Sequence, residues 1–500
     1  MRRWYSSSTA AYSGEAERDV VVEPHLLALD LGTTGIRAGV FSPSGQLKAE
    51  AQVPCGFDVP HPGWAEADAD RWWDAIAPLI ASLGADVRSI VAVGVVGQAP
   101  TVVLVDSEGG VVRPAILWLD TRADSEARAL EWLGPRALAL GGNRLHSYFL
   151  GPKLRWLRDH EPESLERAAY VLQSHSFVVF RLTGAVTVDR STAALFAPLY
   201  DASTGDWALL DEVGIEARLF PPLVGSHEVA GMVTEQAARA TGLPVGIPVV
   251  VGGGDFAAAA LGAGVVDEGQ ACLMLGTAGN LLVPQNERRF DARLINTHHV
   301  GCDRYLSLGG TLCGAALSWF QNIVGVSFEV LEADGHAGEL PLFLPYLQGE
   351  RTPIWNAKAR GAFLGLSTEH GRGALYGAVL EGIALSFREC AEVVAQQGLR
   401  VSEVVATDGG GRSARLRQVL ADALGVRLLY APGSQGTLAG AALLAGLGTG
   451  LVDDATSGRS WRGPTVEHAP DLRRHELLQR RLEQRRRLYG AMAAREKPDL

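Results

Sequence analysis

The chain has 500 residues, 47% of them hydrophobic and 20% charged, a balance that excludes collagen-like, disordered and membrane-spanning classes. Length alone predicts two or three domains of about 150 residues each, with enough chain to bury its cores without disulfides or metal. The 45 basic and 56 acidic residues leave a net charge of −11, which argues against nucleic acid or an anionic membrane as partner. A small anionic ligand stays compatible where backbone amides and a divalent cation neutralise it locally.

Residues 1–22 are polar and Ser-rich. Arg2 and Arg3 raise a transit peptide as one reading, Glu15, Glu17 and Asp19 argue against it, and a disordered tail is the expectation. The apolar run His25 to Asp30, the turn LGTTG and a second run, Ile36 to Phe41, predict a β-hairpin with a polar tip. The device recurs as Ala271 to Leu275, the turn GTAG and Asn280 to Val283. Glycine lets the backbone come close to a ligand, and Thr33, Thr34 and Thr277 add hydroxyls beside the amides, a combination that suits phosphate oxygens. Two plain hairpins are the alternative. As a pair, with Asp30 just before the first tip, they predict two related domains that present their tips to one shared ligand.

Between the hairpins, PVVVGGGDFAAAALGAG reads as a buried strand, a glycine turn and a small-residue helix, with the domain boundary in Gly246 to Gly264. Asp255 stands where that strand ends. It reads either as a turn or N-cap residue or as a carboxylate in the crevice at the strand ends. Further on, DGGGRS, Asp408 to Ser413, lies between the strand-like VSEVVAT and the helical ARLRQVLADALG, a layout suited to a nucleotide although it is neither GxGxxG nor a P-loop. Leu438 to Val452 predicts a small-residue helix packed on a sheet, too short for a bilayer at about 20 residues. Asp471 to Arg495, with Leu478, Leu482, Tyr489 and Met492 at helical spacing, predicts a docked terminal helix with a solvated charged face rather than a membrane-surface helix. Five cysteines, Cys55, Cys272, Cys302, Cys313 and Cys390, without any CxxC spacing, predict reduced thiols in a cytoplasmic compartment.

Taken together these segments resemble the FGGY carbohydrate kinases. LALDLGTTGIRAGVFSPSG is similar to the family's first phosphate motif, GWAEADADRWW to its Gly-Trp-x-Glu segment, and ILWLDTRA to its Trp-x-Asp-x-Arg segment. YFLGPKLRWLRDH fits the first signature except at Leu150. GERTPIWNAKARGAFLGL with YGAVLEGIA resembles the second, with Ala374 where a polar residue is usual. GGGD resembles the catalytic-aspartate motif, LGTAG the second phosphate motif and DGGGRSARLRQVLAD the adenosine motif. The resemblance implies an α/β fold of two tandem actin-like, ribonuclease-H-like ATPase domains around a central cleft. A tail at 1–23 would precede domains at 24–264 and 265–452, and 453–500 would form a C-terminal tail and helix.

The resemblance also implies ATP-dependent phosphorylation of a small sugar or polyol, with ATP and Mg2+ required and a homodimer among the assemblies the family forms. Asp255 would be the general base, and Asp30 with Asp255 would hold Mg2+, a hard cation suited to oxygen ligands. Gly32, Thr33, Thr34, Arg37, Gly276 and Thr277 would contact phosphates; Gly314, Gly409 and Gly410 would line the nucleotide site. Acceptor contacts would come from Gln98, Ala99, Trp118, Asp120, Tyr148, Asp255 and Phe256, although Asp120 with Arg122 also reads as an ion pair in a turn. Xylulokinases usually carry Gln-Met-His where this chain has Gln98, Ala99 and Pro100, and Asp-Asn where it has Asp255 and Phe256. Glycerol kinases carry Arg-Glu and Asp-Gln there, whereas Tyr148 is glycerol-kinase-like and LPYLQGERTP xylulokinase-like. Ala99, Pro100 and Phe256 therefore predict an acceptor with fewer hydroxyls, or one held in another orientation. Two other classes share parts of the pattern: a non-catalytic sugar sensor that kept the clamp, and an actin-like ATPase acting on proteins, which lacks the Trp-x-Asp-x-Arg and GERTP segments.

Overall fold

In the computed structural model, residues 23–336 and 338–495 are described; the tail expected at 1–23 lies, but for Glu23, outside them. The first half opens with β1 (His25–Leu31), β2 (Gly35–Phe41) and β3 (Leu47–Pro54), followed by α1 (Ala69–Ser82) and β4 (Ile90–Gly97). A long excursion carries α2 (Leu150–His160) and α3 (Ser174–Thr183). The chain then returns as β5 (Val229–Met232), β6 (Pro248–Val250) and α4 (Asp255–Gly262). The sheet order is β5-β6-β4-β1-β2-β3, with Gly253–Gly254 adding a short seventh strand beside β4. β1, β2 and β3 form an antiparallel meander, and β1, β4 and β6 run parallel.

The second half repeats this plan. It contains β7 (Gln270–Leu275), β8 (Ala278–Gln285), β9 (Ile295–His298), β10 (Tyr305–Leu312), α5 (Gly314–Val324) and α6 (Arg372–Gln396). After these come β11 (Glu403–Thr407), α7 (Ala414–Leu424), β12 (Arg427–Tyr430), α8 (Gly436–Thr449), β13 (Val466–His468) and α9 (Leu472–Arg495). Its order is β9-β10-β8-β7-β11-β12-β13; the meander β7-β8-β10 and the parallel set β7-β11-β12 match the first sheet. Both tips therefore sit at the same end of equivalent hairpins.

Burial on both faces explains why β1 reads as an unbroken apolar run. Leu27, Leu29 and Leu31 pack with Trp72 and Ile76 of α1, while Leu26 and Ala28 pack with Ala441 and Leu444 of α8. By strand alternation Asp30 shares the α8 face. Helix α8, encoded in the second half, lies on the first sheet, and α4, encoded in the first half, contacts β7 and β8 of the second. The helices cross closely because their contact residues are small. A Cβ on Gly440 would fall on the Ala258 carbonyl, and one on Gly262 on the Gly436 carbonyl. The two halves thus meet across a pair of Ala/Gly helices.

Helix α9 docks on α6 and α7 through Leu478 and Leu482. Two of its arginines point inward as well: Arg481 Nε donates to Glu381 at 2.8 Å, and Arg485, 1% exposed, pairs with Glu389 and donates to the Gly382 carbonyl at 2.9 Å. The charged face expected to be solvated is therefore partly an internal one. Among the described residues no helix is long and apolar enough to cross a membrane.

Candidate active site

The first tip turns tightly between β1 and β2, with the Gly32 N–H donating to the Gly35 carbonyl at 3.0 Å. Gly32 and Thr33 are half-buried and Thr34 is exposed. Thr33 Oγ1 accepts from the Trp118 indole N–H at 3.0 Å, so the first tip is tied to the Trp118 segment. Behind the tip, the Asp30 Oδ2 accepts from Arg37 Nε at 3.0 Å and Nη2 at 2.5 Å, while its Oδ1 is buried without a partner. Arg37, expected among the phosphate contacts, is in this structure the counter-ion of Asp30.

At the second tip Gly276 is half-buried and Thr277 exposed. The Gly314 N–H at the start of α5 donates to the Gly276 carbonyl at 2.9 Å. A Cβ at Gly314 would stand 2.6 Å from that carbonyl, and one at Gly410 would stand 2.6 Å from the Leu275 carbonyl, so both positions require glycine. Gly409 faces open space. Gly276, Thr277, Gly314 and Gly410 are thus gathered at the ends of β7 and β11, next to Asp408. That aspartate adopts φ 69°, a left-handed conformation costly for a non-glycine residue. Burial holds its acid above the ordinary carboxylate range; Arg37 opposes the shift and Asp30 adds to it.

Asp255 is the first residue of α4, half-buried, with its Oδ1 accepting from the Phe256 N–H at 2.7 Å. Burial first, and then the charge of Asp30, push its pKa up to about 8; Asp408 adds to the shift, while the Phe256 hydrogen bond and Arg37 oppose it. A carboxylate poised there exchanges a proton near neutral pH. The sequence singled out Asp255 as the lone charged group of its segment, and the fold surrounds it with Asp30, Arg37 and Asp408. Among the described residues no three His, Cys, Asp or Glu side chains converge to hold an ion unaided. The buried, unpartnered Asp30 Oδ1 beside these acids fits Mg2+, which takes one or two carboxylates and completes its shell with water and phosphate.

Ala99, Tyr148 and Phe256 lie in one apolar cluster with Trp118 packed against it. The Tyr148 hydroxyl donates to the Ala99 carbonyl at 3.4 Å, and burial pushes its pKa up to about 12 against the pull of Arg351. Gln98 is 2% exposed and its Oε1 has no partner, a polar atom left free within this wall. Asp120 stands apart from the group. Its Oδ2 accepts from the Ala65 N–H at 2.6 Å, both oxygens take the Arg122 guanidinium, and Arg122 also meets Glu66 at 2.8 Å beneath Trp64. That ion-paired knot leaves Asp120 1% exposed; it ties the Trp-x-Asp-x-Arg and Gly-Trp-x-Glu segments together and so holds the turn that presents Trp118.

Lys153 of α2 was not anticipated. Fully buried, it donates to the Leu117 carbonyl at 2.7 Å and the Tyr148 carbonyl at 3.4 Å, bracing the backbone of both aromatic walls, and burial pulls its pKa down to about 7. The available signal was a lysine inside a helix in a chain whose positive charge is nearly all arginine.

A sequence profile described as "FGGY family of carbohydrate kinases, N-terminal domain" matches residues 25–262, and its C-terminal counterpart matches residues 308–449. The xylulose kinase of Escherichia coli K12 is 33% identical over 93% of this chain and 98% of its own length. The glycerol kinase of Myxococcus xanthus is 31% identical over 91% of this chain and 97% of its own. Among solved structures, the xylulose kinase from Rhodospirillum rubrum superposes with a TM-score of 0.84 at 32% identity, covering 94% of this chain and 99% of that one.

Proposed function

The chain belongs to the FGGY family of carbohydrate kinases and is an ATP-dependent sugar phosphotransferase, and on that premise we propose that Asp255 removes the acceptor hydroxyl's proton as the oxygen attacks the γ-phosphorus of ATP. The observation that carries this reading is the position of Asp255. It heads α4 within electrostatic reach of Asp30 behind the first tip, Asp408 beside the second, and Tyr148 in the apolar wall. Phosphoryl transfer asks for positioning and charge stabilisation rather than covalent chemistry. The glycine-backed tips at Thr33 and Gly276 present amides and hydroxyls to the phosphates. Trp118, hydrogen-bonded to Thr33, couples the acceptor wall to the same tip. Mg2+, held through Asp30 and Asp255, would neutralise phosphate charge in a cleft that is otherwise acidic.

The acceptor is a small ketose or polyol, in keeping with the xylulose kinase and glycerol kinase relatives. Ala99, Pro100 and Phe256 support one that presents fewer hydroxyls to the α4 side of the pocket, because a buried hydroxyl without a partner costs about 1 to 3 kcal/mol. ADP release over a panel of ketoses, alditols and deoxy sugars tests both points. Asp255→Asn is expected to lower acceptor-dependent ADP release by about 100- to 10,000-fold, the usual contribution of a general base. Equal rates from both proteins would overturn the assignment of the base. D-xylulose or glycerol as much the best acceptor would overturn the fewer-hydroxyl reading.

A further inference from the structure

The loop at residues 350–356 belongs to the second half of the chain and is pinned to β10. Thr352 Oγ1 donates to the Gly310 carbonyl at 3.0 Å and accepts from the Gly310 N–H at 2.5 Å, and Glu350 accepts from Thr311 Oγ1 at 2.8 Å. Between these two anchors, the Arg351 side chain reaches to the first domain. Its guanidinium carbon lies 5.0 Å from the centre of the Trp118 ring and 4.8 Å from that of Tyr148, both in the first domain. Four residues on, Trp355 stacks at 6.2 Å on Phe149, the neighbour of Tyr148, so the loop covers this wall from the opposite domain.

No carboxylate pairs with Arg351 among the described residues, although acidic residues outnumber basic ones in the chain. Against the two aromatic rings, with part of its fork turned to the Tyr148 hydroxyl, the guanidinium keeps further N–H donors for a ligand. Apart from the Gln98 amide, the wall it faces is poor in donors: Ala99, Pro100 and Phe256 supply none from their side chains, the Tyr148 hydroxyl donates to Ala99, and the Trp118 N–H is committed to Thr33. An acceptor rich in oxygen needs donors from somewhere.

We propose that Arg351 is an acceptor-binding residue that reaches across the cleft and donates to an oxygen of the carbohydrate lying against Trp118 and Tyr148. Because it comes from the domain opposite the rest of that pocket, the acceptor site is complete only when the two domains are together. Specificity for the carbohydrate and closure of the cleft then share one side chain. The proposal rests on the carbohydrate-kinase reading of the same site.

The test measures Arg351→Met and Arg351→Lys in the full chain by ADP release with the best acceptor of the panel, alongside calorimetric titration of the same sugar without ATP. Arg351→Met is expected to raise the acceptor KM and Kd at least tenfold and leave the KM for ATP within twofold, with Arg351→Lys recovering part of the loss. An acceptor KM within twofold of wild type, or an equal rise in the KM for ATP, overturns the proposal. Should the methionine variant melt well below wild type, the lysine variant decides by the same criterion. If no sugar stimulates ADP release, the titration still decides. Weaker sugar binding by the variant then supports Arg351 while the kinase reading fails, and no binding of any sugar to the wild type overturns both.

Discussion

At Asp255 the positive end of helix α4 favours the carboxylate, yet burial and two neighbouring acids win and raise the pKa from 3.8 to about 8. The consequence for stability has a definite sign. Between about pH 4 and pH 8 the folded protein keeps a proton that the unfolded chain has released, so stability falls as pH rises through that window. Asp255→Asn removes this dependence. Its melting temperature in the ligand-free protein is expected to match wild type near pH 4 and to exceed it near pH 8, as scanning calorimetry at the two pH values reads out. A variant that melts lower than wild type at pH 8 would contradict the shift. Residue type and spacing made Asp255 legible in the sequence, but its ionisation was not, because Asp30 and Asp408 reach it only through folding.

Among the elements, the terminal helix shows what periodicity captures and what it leaves out. Leu478 and Leu482 at helical spacing predict docking, and they do enter the core. Arg481 and Arg485 lie on the same inward face and meet Glu381 and Glu389 of α6, which no pattern within α9 signals. Breaking a buried pair leaves an uncompensated charge at a cost of about 3 to 5 kcal/mol, whereas replacing both partners with apolar groups is far milder. Arg485→Met is therefore expected to lower the urea midpoint strongly, and Arg485→Met combined with Glu389→Met to recover most of the loss. A double variant no more stable than the single one would show that the arginine acts through packing instead. The glycines of α4 and α8 teach the related lesson that a small-residue helix marks a close crossing, while its partner helix appears only in the fold.

For the molecule as a whole, a net charge of −11 and a cleft holding Asp30, Asp255 and Asp408 against Arg37 oppose the binding of bare ATP. Ligand binding raises the melting temperature by mass action. ATP with Mg2+ is therefore expected to stabilise the protein clearly more than the same ATP with EDTA. Equal shifts in a thermal-melt series would mean that the tips and Arg37 offset the phosphate charge without the cation. The same molecular scale accounts for Asp120: its motif pointed to the acceptor, and the fold spends its carboxylate on the knot with Arg122 and Ala65.

The two hairpin tips, the continuous apolar strands, the Ala/Gly helices and the order of motifs that carries the family are all legible in the residues alone. These depend on turn chemistry and on side-chain period, which act over a few residues. Folding alone brings three acids into mutual reach, sets Lys153 under the Trp118 and Tyr148 segments and carries Arg351 from the second domain to Trp118 and Tyr148. Those residues lie far apart in the chain. Their charges and hydrogen bonds acquire meaning only once packing has excluded water from between them.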